Sequence, residues 1–132
     1  MVKKLYSVAA TALLAVGLVV GLGSPASADT QNGNCESQEI CLYYSANFSG
    51  YLKDFYESLI EDYSYYTFEG TSVHLNDNVV SIKNQQWWTD EDFCWNSYWR
   101  GPCFTLNAGY TLSSLWNVNG VNFNNQLSSH ID

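Results

Sequence analysis

From Cys35 onward, apolar residues come in short runs rich in Tyr, Val, Ile, Thr, Phe and Trp. Asn, Asp, Ser and Gly interrupt them at intervals of about 8–12 residues, the spacing of short strands joined by turns. This pattern predicts strands at 40–45, 51–56, 64–68, 79–83, 93–96, 103–106 and 126–131. Helical periodicity is weak. Only 55–63, with Leu59 and Ile60 inward, and 112–116 offer a turn or two. Many short strands with frequent turn signals point to a sandwich or barrel. The chain before Cys35 is patterned differently. Lys3 and Lys4 precede an apolar run from about Val8 to Leu22, followed by Pro25-Ala26-Ser27-Ala28. That order of charged head, apolar middle and small-residue site reads as a secretory leader cleaved after Ala28. Its apolar run is short of the roughly 20 residues a membrane span needs. Residues 29–34 are polar and are expected to be flexible.

The strand pattern repeats. The first half carries Cys41-Leu42-Tyr43-Tyr44-Ser45-Ala46-Asn47-Phe48-Ser49-Gly50 and the second Cys94-Trp95-Asn96-Ser97-Tyr98-Trp99-Arg100-Gly101. Each half then reaches a polar turn leading to serine: Asn76-Asp77-Asn78-Val79-Val80-Ser81-Ile82 and Asn124-Asn125-Gln126-Leu127-Ser128-Ser129. Two such halves imply two four-stranded units packed face to face. In Tyr43-x4-Phe48-x-Gly50, one aromatic can cover the other across a folded hairpin, and Gly50 supplies a conformation that a Cβ disfavours. Tyr63-x4-Phe68-x-Gly70 meets the same spacing, so the repeat carries more weight than the spacing.

Removal of the leader leaves 104 residues, enough for one domain. It leaves all 13 acids but only Lys53, Lys83 and Arg100 as bases, a formal charge of −10. So acidic a chain lacks the basic footprint for nucleic acid or anionic lipid, and no membrane insertion is expected after cleavage. Of 21 aromatic residues only Tyr6 lies in the leader, which argues against disorder. All four cysteines lie in the exported part, where disulfides are the default. Four cysteines allow three pairings, and sequence does not choose among them. Neighbour pairing, Cys35–Cys41 and Cys94–Cys103, is the expectation. The C-x5-C and C-x8-C spacings do not suit a zinc site.

These motifs resemble the βγ-crystallin Greek key. Tyr43-x4-Phe48-x-Gly50 matches its hairpin, and Asn124-Asn125-Gln126-Leu127-Ser128-Ser129 matches its calcium turn. Within that superfamily the chain is most similar to small secreted bacterial proteins of the crystallin-type peptidase-inhibitor family. The similarity runs through Cys35…Cys41-Leu42-Tyr43, Asp77-Asn78-x-x-Ser81-Ile82-x-Asn84 and Gly101-x-Cys103-Phe104, and spans about 35–132. It implies an all-β fold, a two-motif Greek-key sandwich. Two departures stand out. Cys94 occupies the aromatic position seven before Gly101, so the second hairpin is expected to be shorter or reshaped. The first turn has two registers: from Asp77 its hydroxyl is Ser81, and from Asn76 that position is Val80.

The resemblance implies calcium sites shared between the turns, using Asp77, Asn78, Ser81, Asn124, Asn125 and Ser128. Only Asp77 is charged, so calcium would bind weakly, and the same residues can simply shape turns. It also implies an inhibitory loop made of Cys94, Trp95, Tyr98, Trp99 and Arg100, which enters a peptidase cleft as a poorly released substrate with Trp95 offered to an apolar pocket. The competing role for Trp95 and Trp99 is core packing. Trp87 and Trp88 with Tyr63, Tyr65 and Tyr66 could stack on sugar, although neighbours in a strand face opposite sides. Asp90-Glu91-Asp92 reads as a solvated loop. His74 and His130, the latter at a frayed tail, have no nucleophile motif beside them. A carboxylate pair drawn from Glu57, Glu61, Asp62 and Glu69 is no more than any acidic protein offers. The expected protein is therefore no enzyme. It is a secreted, extracellular, monomeric inhibitor of an extracellular peptidase, a metalloprotease ahead of a serine protease, with no required cofactor and calcium as the candidate ion. The alternative is a non-inhibitory calcium-binding or glycan- or envelope-binding module.

Overall fold

A computed structural model of the protein describes residues 31–56 and 58–132. The leader, its cleavage point and Glu57 lie outside the described residues. Eight strands follow in order: β1 (Ile40–Ser45), β2 (Ser49–Phe55), β3 (Leu59–Ile60), β4 (Ser81–Asn84), β5 (Glu91–Asn96), β6 (Arg100–Leu106), β7 (Thr111–Leu112) and β8 (Ser129–Ile131). They form two antiparallel sheets, ordered β2-β1-β4-β7 and β6-β5-β8-β3. Each half of the chain thus supplies three strands to one sheet and lends its third strand to the other, as expected of paired Greek keys.

Both long hairpins carry the same irregularity. Pairing slips between Tyr43 and Ser45 against Ser49, and between Cys94 and Asn96 against Arg100. Asn47 and Phe48 have φ of 56° and 57°, and Tyr98 and Trp99 have 58° and 55°. Gly50 and Gly101 follow at 78° and 84°, where a Cβ would meet Ser45 Oγ at 2.9 Å and Asn96 Nδ2 at 2.7 Å. Only glycine fits such positions without strain. A buried serine pins each folded hairpin. Ser81 Oγ donates to the Ser45 carbonyl (2.6 Å) and accepts from Phe48 N–H (3.1 Å). Ser129 Oγ donates to the Asn96 carbonyl (2.7 Å) and accepts from Trp99 N–H (3.1 Å). The second hairpin is therefore neither shortened nor reshaped. The Cys94–Cys103 bridge stands where Tyr43 covers Phe48 in the first.

The core lies between the sheets. Ile40, Leu42, Phe55 and Ile82 face Phe93, Phe104 and Leu106, with Leu75, Val79, Leu115, Phe123 and Leu127 closing the ends. Several local expectations differ from this arrangement. No strand covers 64–68. Asp62 caps a 3-10 turn at Tyr63–Tyr65 by accepting from Ser64 N–H, so the aromatic run bends instead of extending. Neither helical candidate forms an α-helix among the described residues: 55–63 contains β3 and ends on the first residue of the 3-10 turn, and 112–116 begins in β7, two-residue strands too short for any alternation to register. His130 is fully buried in β8, which lies between β3 and β5, so it is no frayed tail. Asn32 and Gly33 lie against β2, their backbone N–H groups donating to the two Asp54 carboxylate oxygens.

Lys53 and Glu91 are among the ionisable side chains that sit deep in the fold. Lys53 is buried, pairs with Glu69, and lies 5.4 Å from the Phe55 ring centroid and 5.6 Å from that of Tyr66. Glu91 is no solvated loop residue either. It starts β5, where alternation turns it inward with Phe93. Burial of a carboxylate with no hydrogen-bond partner among the described residues, eased by the Ser58 hydroxyl and reinforced by Asp132 and Asp92, raises its pKa from 4.5 to about 8.

A carboxyl raised on folding stabilises fully below its unfolded value, and the benefit is lost as pH rises through the folded value. The Glu91 contribution should therefore fade between about pH 4.5 and pH 8. Urea midpoints across that window should fall less steeply for Glu91→Gln than for the wild type. Removing the hairpin pin by Ser129→Ala leaves a buried N–H and C=O without their partner. That should cost roughly 1–3 kcal/mol and lower the Tm by several degrees, whereas Ser97→Ala should leave the Tm nearly unchanged.

Candidate functional site: the second hairpin and the turn cleft

The β5–β6 hairpin ends in Ser97, Tyr98 and Trp99. Its base is closed by the Cys94–Cys103 disulfide between directly opposed residues, and Cys35 pairs with Cys41, the neighbour pairing in both cases. Three further contacts hold the tip. Tyr98 N–H donates to the Glu61 carbonyl (2.7 Å), Trp99 N–H to Ser129 Oγ, and the Trp99 indole N–H to the His130 carbonyl (3.0 Å). Tyr98 and Arg100 face solvent. Arg100 Nε donates to the Ser97 carbonyl (3.3 Å), with its guanidinium 6.0 Å from the Tyr98 ring.

The five loop residues expected to act together thus divide. Trp95 is half-buried against the core with its ring 5.9 Å from Phe123, and its indole nitrogen is buried with no hydrogen-bond partner among the described residues. Trp99 is half-buried and bonded. Cys94 is buried in the bridge. Tyr98 and Arg100 are the exposed pair. The backbone also bears on the expected substrate-like action. A peptidase holds its substrate as an extended strand, whereas Tyr98 and Trp99 have positive φ and N–H groups already engaged within the protein.

Sequence reasoning missed the tip's neighbours. The Tyr98 phenol lies beside that of Tyr65, which is 78% exposed, closely enough for each to act on the other. Tyr65 first, then Asp62 and Glu61, push the Tyr98 pKa up. Asp62 is held below its ordinary carboxylate value mainly by the Ser64 N–H, with the Ser97 side chain adding to it. The ridge lies between two concavities. One of about 570 Å³ is lined by Asp62, Ser64, Asn76, Asp77, Asn96, Ser97, Arg100 and Ser128. A smaller one, about 220 Å³, is lined by Leu59, Ile60, Glu61, Asp62, Tyr65 and Tyr66. Contact between Glu61 and Tyr98 comes from the exchanged strand β3, and no local spacing announces it.

The larger cleft contains part of the expected calcium turns. Asp77 and Asn125 occupy equivalent left-handed positions (φ 57° and 56°), and each donates its N–H to the other half: Asp77 to the Leu127 carbonyl, Asn125 to the Val79 carbonyl. This equivalence sets the first turn to read from Asn76. Val80 then stands where Ser128 stands in the second turn, and Ser81 is the buried hairpin pin. Asn78 Nδ2 donates to the His74 and Asn76 carbonyls and shapes its own turn. Asp77 Oδ1 lies 3.5 Å from Ser128 Oγ, and the Asn124 side-chain carbonyl is buried with no partner among the described residues. Asp77 with Ser128 is a donor pair suited to one cation. The mirror position, Asn125 with Val80, lacks both the charge and the hydroxyl. No group of three or more His, Cys, Asp or Glu side chains among the described residues is placed to hold a metal.

Elsewhere, Trp87 and Trp88 do not stack with Tyr63, Tyr65 and Tyr66. Tyr63 is fully buried, its hydroxyl 2.7 Å from His130 Nδ1. The two tryptophans lie in the link between β4 and β5, outside any strand, and both are exposed. Glu69, a member of the candidate carboxylate pair, is taken up by Lys53.

The model of peptidase inhibitor family I36 matches residues 28–106. Comparison with curated proteins finds no match. Among solved structures, one described under the evolution of the eye-lens βγ-crystallin domain fold is 25% identical, with TM-score 0.60, covering 75% of this chain and 88% of its own. A βγ-crystallin from Ciona intestinalis is 20% identical with TM-score 0.56, covering 71% and 98%. An archaeal βγ-crystallin is 24% identical with TM-score 0.55, covering 74% and 99%.

Calcium at tenfold its Kd stabilises by about 1.4 kcal/mol. Millimolar calcium should therefore raise the Tm by a few degrees at most. The increment should vanish in Asp77→Ala and persist in Asn125→Ala, by calorimetry with and without chelator.

Proposed function

The chain belongs to peptidase inhibitor family I36, and from that membership we propose that it is a secreted inhibitor of an extracellular peptidase, a metalloprotease ahead of a serine protease, that works through the stapled β5–β6 hairpin. The family assignment carries the reading. Such a protein acts by binding and not by catalysis. Two disulfides suit an oxidising compartment, and the expected working form is a monomer.

The hairpin supports the reading physically. A disulfide, a pinning serine and a bond to Glu61 hold its tip before any partner arrives, so little ordering entropy opposes association. Tyr and Arg are the residues most often found as interface anchors. Here Tyr98, Arg100 and Tyr65 stand together between two concavities. Positive φ and engaged N–H groups favour obstruction by a side-chain ridge over presentation of an extended, cleavable segment. In this reading Trp95 supports the ridge from below and does not contact the enzyme.

Titration against a thermolysin-type metalloprotease and a subtilisin-type serine protease tests it. Stoichiometric inhibition is expected of the metalloprotease. The double variant Tyr98→Ala/Arg100→Ala should weaken it at least tenfold, about 1.4 kcal/mol, with the Tm retained. Trp95→Ala should instead lower the Tm, by several degrees, with affinity kept in the folded fraction. Unchanged inhibition by the double variant removes the hairpin from the account.

A further inference from the structure

The link between β4 and β5 carries a second exposed feature. Trp87 is 75% exposed, Trp88 43% and Tyr56 45%. The two indoles meet edge to face, centroids 5.4 Å apart at 84°, and the Tyr56 ring lies 6.2 Å from Trp88. This is a right-angled corner with a free face on Trp87. Buried amides brace it from beneath. Asn84 Oδ1 accepts from Gln86 N–H (3.1 Å) and its Nδ2 donates to the Thr89 carbonyl (3.0 Å), which clamps the link on both sides of the tryptophans. Gln86 Nε2 donates to the Tyr56 carbonyl (3.1 Å), fixing the third ring to the same base. Rings that served only to fill the core would not need such a platform.

We propose that Trp87, Trp88 and Tyr56 form a stacking site for a neutral polysaccharide. Three observations select this occupant. The rings expose on the order of 400 Å² in total, about half of what each side of a stable protein–protein contact buries, so the patch is too small for a second copy or another folded protein. The chain carries thirteen acids against three bases after the leader, with Asp90 and Asp92 following closely on the link, so anionic glycans, nucleic acid and anionic lipid are repelled. A pyranose ring is uncharged, offers a flat C–H face to the Trp87 ring, and has hydroxyl groups for the neighbouring Thr89 and Asp90. The site lies at the end of β5 away from the hairpin tip. Six extended residues separate them by on the order of 20 Å. Polysaccharide bound at one end would leave the hairpin free at the other, so the protein could be held on an envelope or matrix while presenting its ridge. The inference does not depend on the inhibitory reading.

The test is co-sedimentation of the leader-free protein with three neutral matrices, chitin, microcrystalline cellulose and insoluble β-1,3-glucan, together with tryptophan fluorescence titrated with N-acetylglucosamine and glucose oligomers. Retention on at least one matrix and a saturable fluorescence change are expected. Trp87→Ala, at an exposed ring with little structural role, should weaken binding at least tenfold, and Trp87→Tyr should restore part of it. Trp116→Ala, at an exposed tryptophan elsewhere, should bind as wild type. Absence of binding to all three matrices, or binding unchanged by Trp87→Ala, overturns the proposal. So does a concentration-dependent dimer abolished by that substitution, or loss of peptidase inhibition without loss of matrix binding, each of which assigns the corner to a protein partner.

Discussion

The architecture depends on one hydroxyl used twice. A hairpin whose tip runs through two left-handed residues turns its peptide groups away from the ladder and leaves a carbonyl and an N–H to be satisfied inside the protein. Ser81 and Ser129 satisfy both at once, each from the fourth strand of its own motif. The pin works only if that strand lies beside the first strand, which requires the third strand to leave the sheet. Exchange of β3 and β7 between the sheets is thus the topological consequence of closing both hairpins this way. The core is the space the exchange encloses.

How far this was legible from the chain varies by element. The folded hairpins were legible because they are written in single residues: a glycine that must have positive φ, an aromatic two before it, and a serine at the end of a polar turn. The repeat made them convincing. β3 and β7 were not, because two residues cannot show alternation and their positions are set by partners far along the chain. Tyr63–Tyr65 misled because β-forming side chains outvoted one capping aspartate. Glu91 misled because three consecutive acids look solvated until strand alternation turns the middle one inward. Of the candidate site, Tyr98 and Arg100 were legible as exposed loop residues. Trp95 was legible as one of two readings, core packing or pocket contact, since burial of a residue beside a turn depends on which way the strand enters it. Tyr65 was invisible because only the exchanged strand brings it to the tip.

The same exchange explains why the candidate site lies at a seam. The tip of the second hairpin rests on Glu61 and Tyr65, from the first motif, and the cleft beside it draws Asp77 from one turn and Ser128 from the other. Partial unfolding of either half would dismantle the ridge. Its geometry is therefore coupled to global stability, and a contact surface is obtained without a flexible loop.

The two hairpins share a backbone but secure it by different means. In the first, Tyr43 packs on Phe48 with ring centroids 5.8 Å apart, and Lys83 lies 4.8 Å from the Phe48 centroid. Such a stack holds only while its rings stay together, and it covers the hairpin it stabilises. In the second, the covering tyrosine is replaced by Cys94, and a covalent bridge to Cys103 makes the cover unnecessary. Trp99 is drawn down to the His130 carbonyl, and Tyr98 is left standing in solvent. The exposed positions are the same in both copies: Asn47 and Tyr98 face solvent, and Phe48 and Trp99 are half-buried. The duplicated motif thus differs at one aromatic position, the first copy holding its hairpin by ring packing and the second by a covalent bridge, while the tip conformation is kept in both.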